Sequence, residues 1–177
     1  MNRLFRLLWT LVAARFRSRV AMLGPCRTSF WVWPNDLDLL WHMNNGSYFS
    51  LLDLARIDLM IRAGIFDQLN QRGWYPVVAS ETMLFRRSLK LFERFEVVTE
   101  VAGWDEQAIL LTQRFERGGQ FIGLALIRAR FLKRSGGSVT PGELLGLANL
   151  SLESPPMPEW IARWNADQVA LHRSEQG

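Results

Sequence analysis

Cys26 is the only cysteine in the 177-residue chain, so no intramolecular disulfide can form and a reducing compartment is the simpler reading. No general base stands near it in sequence, which leaves it a structural role rather than that of a nucleophile. Histidine is scarce too, with two residues, His42 and His172. Long apolar runs are missing: residues 7–14 form an unbroken stretch, but one too short to span a bilayer. There is no internal repeat, no low-complexity tract and no Gly/Ser-rich linker, which excludes a solenoid and a tethered module. Zinc-finger spacing, an RNP-like motif and a Gly-Lys-rich stripe are all absent, so nothing supports nucleic acid as a partner. Lysine is limited to Lys90 and Lys133 among 21 basic residues.

What remains is an apolar, aromatic chain. At 49% hydrophobic and 21% charged residues it has the composition of one globular domain with a substantial core. Eight Trp and eleven Phe imply a bulky core, a subunit interface or an apolar ligand site. A net charge of +4 suits an anionic small molecule or a membrane surface. The first nineteen residues hold five Arg and no acid. As a helix, Arg3, Arg6, Thr10 and Arg17 share one stripe, with Leu4, Leu8, Leu11 and Val12 facing away from it. Two readings follow: a basic amphipathic helix giving peripheral membrane contact through residues 1–20, or a terminal helix packed on its own domain. Arg15, Arg17 and Arg19 directly after the apolar run argue against export. The expected location is cytoplasmic, at the inner face of a membrane if the segment is exposed.

Three segments are expected: a basic amphipathic segment over 1–25, a central domain over 26–135 and a helical extension over 136–177. Aromatic and β-branched residues at 26–33 predict a first strand, ended by Pro34-Asn35. Residues 46–63 read as a helix whose apolar arc is too wide for a surface position, with Gly64 as its stop. Strands are predicted over 75–89, 95–104, 108–116 and 120–133. Asp105-Glu106-Gln107 and Gly118-Gly119 make turns so short that neighbouring strands must be antiparallel. Several strands are apolar on both faces, which calls for a second layer or a subunit against the outer face. Thr140-Pro141-Gly142-Glu143 has the form of a helix start, and 158–172 forms a last amphipathic helix. The fold class is α+β: a long central helix wrapped by a curved antiparallel sheet of about five strands, with extra terminal helices.

The densest polar cluster lies at the mouth of that central helix: Asp36-Leu37-Asp38-Leu39-Leu40-Trp41-His42-Met43-Asn44-Asn45-Gly46-Ser47-Tyr48. The pattern Asp-x-Asp-x-x-x-His-Met-Asn-Asn-x-x-Tyr before an Ala55-Arg56 helix resembles the 4-hydroxybenzoyl-CoA thioesterase family of hotdog-fold proteins, and within it the "thioesterase superfamily member" branch. The segments starting at Phe85-Arg86-Arg87, Phe95-Glu96-Val97 and Gly103-Trp104-Asp105 resemble that branch as well. The resemblance spans roughly residues 26–133. It implies hydrolysis of a thioester such as an acyl-CoA, a homodimer or homotetramer with its site at the subunit interface, and neither metal nor organic cofactor.

By the same resemblance Asp38 is the catalytic carboxylate, acting as general base or as nucleophile. The backbone N–H of Asn45, at the helix start, is the oxyanion donor, and Gly46 beside it gives room for close approach. His42 is expected to bond Asp38 or substrate, or to be structural. Asp36 fixes the turn and Asn44 caps the helix or touches substrate. Tyr48 packs the helix, and Arg56 is a structural ion-pair partner. Two departures stand out. The family often has Gly before the His, where this chain has Trp41, a bulky residue at the acyl pocket. The turn after Trp104 is acidic where the 4-hydroxybenzoyl type carries CoA-binding cations. Phosphates would then meet other cations, with Arg86 and Arg87 the first candidates and Lys90, Arg128 and Arg130 further ones. Two alternatives are a non-catalytic acyl-binding protein of the same fold and a thioesterase acting on acyl carrier protein.

Overall fold

The computed structural model describes residues 3–151 and 153–175. Met1, Asn2 and the side chain of Arg3, part of the expected basic segment, lie outside the described residues. The chain runs α1 (Arg3–Phe16), β1 (Cys26–Trp31), a short 3-10 turn (Pro34–Asp36), α2 (Asn45–Arg62), α3 (Phe66–Gln71), β2 (Trp74–Phe85), β3 (Arg94–Trp104), β4 (Ile109–Arg117), β5 (Gln120–Lys133), β6 (Ser138–Val139), α4 (Pro141–Gly146) and α5 (Glu159–Ser174).

The five long strands form one antiparallel sheet in the order β1-β3-β4-β5-β2, with β6 added on β5. Gly118 and Gly119, both at positive φ, close the β4–β5 hairpin in two residues. The sheet is bent by irregularities at Val78/Ser80 and Val101/Gly103. α2 lies on the inner face. Leu51, Leu52, Ala55 and Leu59 pack with Phe95, Phe115, Ile122 and Ile127 in one continuous core, which is why this helix carries so little polar surface. Gly64, at φ +79°, stops it where the sequence places the stop.

Part of the outer face is covered from within the chain. α5 sets Ile161 and Trp164 on Leu110 and Leu126. Asp105 in the β3–β4 turn receives Arg128 Nη2 and Asn165 Nδ2, each at 2.9 Å. Residues 154–157 can cross the sheet toward α5 because Gly103 has no side chain: a Cβ there would stand 2.6 Å from Met157.

The structure departs from or adds to the expectations at three places. The strand drawn to residue 89 ends at Phe85, because the N–H groups of Arg86 and Arg87 both turn to the Ile122 carbonyl and the chain then leaves the sheet. α3 and β6, too short to show a period, were not anticipated. α1 packs against α2 with the polar stripe inward: Arg6 and Thr10 are buried, while Leu4, Leu8 and Val12 stand outward beside Phe5, Trp9 and Phe16. The inversion has a specific cause. The guanidinium of Arg6 forms a two-pronged ion pair with the buried Asp36 carboxylate and also donates to the Trp31 carbonyl at 3.1 Å.

Candidate active site

The polar motif folds into a tight loop that feeds the first turn of α2. Leu37 pairs with Met43 across it. The Asp38 N–H donates to the His42 carbonyl at 2.8 Å, and the Trp41 N–H to the Asp38 carbonyl at 3.1 Å. The loop is braced from outside by the segment that leaves β2. The Met43 N–H donates to the Leu89 carbonyl at 2.9 Å, His42 bridges to Lys90, and the Tyr48 hydroxyl accepts the Leu89 N–H at 3.2 Å. Tyr48 itself packs edge-on against Phe85 and Phe115.

Asp38 is half-buried. Its Oδ1 accepts the N–H groups of Leu40 at 2.8 Å and His42 at 3.2 Å, so the carboxylate is oriented by its own turn. Its Oδ2 takes no partner among the described residues. Seven positions on, Asn45 is the first residue of α2. Asn44 precedes it as cap, its Oδ1 accepting the Gly46 N–H at 2.8 Å and its carbonyl the Ser47 N–H at 2.9 Å. The Asn45 N–H has no partner among the described residues and lies on an exposed stretch with Gly46. A free N–H at a helix start is suited to a negatively charged oxygen.

Asp36 is the opposite case. It is buried, holds Arg6 and accepts the Trp33 N–H at 2.8 Å, so both its oxygens are engaged in fixing the turn. His42 meets Asp38 through its backbone N–H and carbonyl; its ring makes no hydrogen bond to Asp38. Trp41 sits at φ +61°, the left-handed region where glycine is at ease. This explains the glycine usual at that place in the family pattern. The Trp41 indole points outward, and with Leu39 and Leu40 it forms an exposed apolar tip beside Asp38.

Arg86 and Arg87 are exposed and make no ion pair among the described residues; they begin the bracing segment that ends at Lys90, next to the motif. Arg128 is withdrawn from the set of free cations. It is buried on the outer face, held by Asp105 and Asn165, and the acidic turn after Trp104 is therefore a structural clamp. Arg56 is likewise structural, bound to Asp53 and, at 2.7 Å, to the buried Gln113. Cys26 is fully buried, and burial foremost, with the Asp58 carboxylate next, raises its thiol from 9.0 to about 11.

Sequence reading missed a cavity of about 720 Å³ beside the motif. Asp36 and Ser47 mark its polar end, and it continues along α2 past Leu54 and Ile57 to Met60. The signal was present in the i, i+3, i+4 spacing of Ser47, Ser50, Leu51, Leu54 and Ile57, but a cavity-lining stripe and a core-packing stripe are the same pattern in one dimension.

Residues 32–165 match the Thioesterase-like superfamily. A similar relative is Protein THEM6 of Xenopus laevis, 35% identical over 150 residues, a span covering 82% of this chain and 71% of that protein. Among solved structures, the YbaW probable thioesterase of Escherichia coli superposes with a TM-score of 0.63 at 22% identity, over 68% of this chain and 93% of that one. The DHNA-CoA thioesterase of Staphylococcus aureus does so with a TM-score of 0.60 at 14% identity, over 84% and 93%. The curved antiparallel sheet around a central helix is thus the hotdog fold of these structures.

Proposed function

The chain belongs to the Thioesterase-like superfamily of thioester hydrolases, and we propose that within it this protein hydrolyses an acyl-CoA to free acid and CoA, with Asp38 as the reacting carboxylate. The observation that carries this reading is the pairing of an open Asp38 Oδ2 with an unclaimed Asn45 N–H at the start of α2. The carboxylate either draws a proton from water or attacks the thioester carbon itself. As the carbonyl oxygen gains charge, the Asn45 N–H and the positive end of α2 stabilise it. The thiolate of CoA is a good leaving group, so one oriented carboxylate suffices without a triad. This reading assigns Arg86 and Arg87, exposed on the bracing segment, to a CoA phosphate.

The reading also takes the site to lie at a subunit interface. β2 is a twelve-residue edge strand with Tyr75, Val78, Leu84 and Phe85 exposed, a surface that an antiparallel second copy would cover in a dimer or tetramer. Membrane contact, if made, uses the outward apolar face of α1 rather than its basic stripe; among the described residues no helix is long and apolar enough to cross a membrane.

The test is an acyl-CoA panel with wild type and Asp38→Asn. Turnover in the wild type with loss in the variant supports the assignment, and equal rates would remove Asp38 from the reaction. Single turnover in heavy-oxygen water tests the nucleophilic route: label on Asp38 requires an anhydride that water opens at the Asp38 carboxyl carbon. The same panel on carrier-protein thioesters tests the alternative substrate. A second reading, tight acyl-CoA binding without hydrolysis, draws on the exposed tip Leu39-Leu40-Trp41 and is distinguished by intact ligand after long incubation.

A further inference from the structure

The cavity beside the motif is elongated along α2 and mostly apolar, and part of its wall lies outside the superfamily match. It follows one face of α2 from Ser47 to Met60. At the rise of a helix that is a slot of about 20 Å. Val101, Ile109, Leu111 and Ala129 line it from the inner face of the sheet, and Val77 and Val78 of β2 border it as well. α1 contributes Leu7 and, at the rim, the exposed Leu4, and Met22 also lines it. These three residues precede residue 32, where the family match begins. Polar groups gather at the end where Arg6, Asn35, Asp36 and Ser47 stand; Asp38, two positions along the chain from Asp36, is not itself part of the lining. Asp53 and Arg56 also border the slot but are bound to one another.

A slot with these features discriminates by shape. An aryl acid would occupy one end and leave most of the length unfilled, forfeiting contacts along the rest. A straight aliphatic chain can lie along α2 with its carbonyl at the polar end. We propose that this cavity is the acyl-chain site, that its ligand is an unbranched aliphatic chain, and that α1 is the wall that sets the length accepted. The proposal rests on the thioesterase reading for the placement of the carbonyl, but the chain site stands on the cavity itself.

Calorimetric binding of saturated fatty acids from hexanoate to palmitate tests it, with benzoate as the aryl control and with hydrolysis of the matching CoA thioesters measured in parallel. In the wild type, affinity should rise about fourfold per methylene until the slot is full. Benzoate should bind no better than hexanoate. Ile57→Trp on α2 and Leu7→Trp on α1 narrow the slot from opposite walls; each should weaken palmitate by at least about tenfold and leave hexanoate unchanged. If Ile57→Trp does not fold by circular dichroism, Leu7→Trp reads the same quantity from the other wall. Affinity that does not change with chain length, or substitutions that weaken all lengths equally, would overturn the proposal. Fatty acids that bind in the expected pattern to a protein without hydrolytic activity would keep the chain site and remove the thioesterase reading. Hydrolysis indifferent to chain length and to both substitutions would do the reverse.

Discussion

An aspartate lies at either end of α2, Asp58 toward its C-terminus and Asp38 in the loop that feeds its first turn, and they are handled in opposite ways. Near the C-terminal end, Asp58 is fully buried and saturated: Thr28 donates at 2.7 Å, Arg17 at 3.2 Å, Arg62 at 3.3 Å and the Cys26 thiol at 3.6 Å. At the N-terminal end, Asp38 is half-buried, takes two backbone donors on one oxygen and leaves the other open. A carboxylate ringed by donors is fixed and chemically idle, and it serves to tie α2, β1 and the segment after α1 together. One oriented from one side only keeps a lone pair for reaction. The helix is anchored at one end so that the other can remain unsatisfied.

Breaking the reactive end should give the largest effect. Asp38→Asn keeps an oxygen for Leu40 and His42, so stability should move by less than about 0.5 kcal/mol, while kcat/KM for acyl-CoA should fall by about 10² to 10⁴. A combined loss of activity and fold would mean that the carboxylate is structural. Breaking the anchored end should invert that pattern. Asp58→Ala strands the buried Arg62 and should cost about 3–5 kcal/mol in urea unfolding, with kcat preserved in whatever fraction remains folded.

A third measurement sharpens the contrast without mutation. The Cys26 thiol is raised to about 11 in the folded protein from an ordinary 9.0. The folded state therefore holds a proton that the unfolded state releases. Its contribution is complete below pH 9 and is lost as pH rises toward 11, on the order of 2–3 kcal/mol in all. Denaturation midpoints across that range should fall more steeply in the wild type than in Cys26→Ala, where the Tyr48 hydroxyl, raised foremost by burial, still adds a fall of the same sign; an equal slope in both would assign the dependence elsewhere. The smallest effect is expected at Trp41. Trp41→Gly relieves a positive-φ residue and should raise stability by no more than about 1 kcal/mol, read as a small upward shift in Tm. A drop would show that the exposed indole packs on something the single chain lacks.

The comparison also marks what could be read in one dimension. The motif, the helix after it and the five long strands, the end of β2 apart, were legible because each rests on local pattern: apolar period, turn residues and a helix cap. Asn44 as cap, Asp36 as turn-fixer and Arg56 as an ion-pair partner were legible for the same reason. The end of β2 was not, since the N–H groups of Arg86 and Arg87 both meet one distant carbonyl, at Ile122, and the chain then leaves the sheet. Nor was the orientation of α1. Its stripe of Arg6 and Thr10 suggests solvent or lipid until Asp36, thirty residues on, supplies a buried partner.

By itself the sequence determined the fold class, the hairpins, the buried central helix and the carboxylate at its mouth. These depend on spacing between near neighbours, where side-chain period and turn chemistry leave few choices. Tertiary structure alone decided which aspartate is saturated and which is open, that Arg128 is a clamp rather than a free cation, and that α1 walls a long apolar slot. Each of those is a question of what meets a group across space, and a carboxylate, an arginine or a leucine reads the same in sequence whichever answer the fold provides.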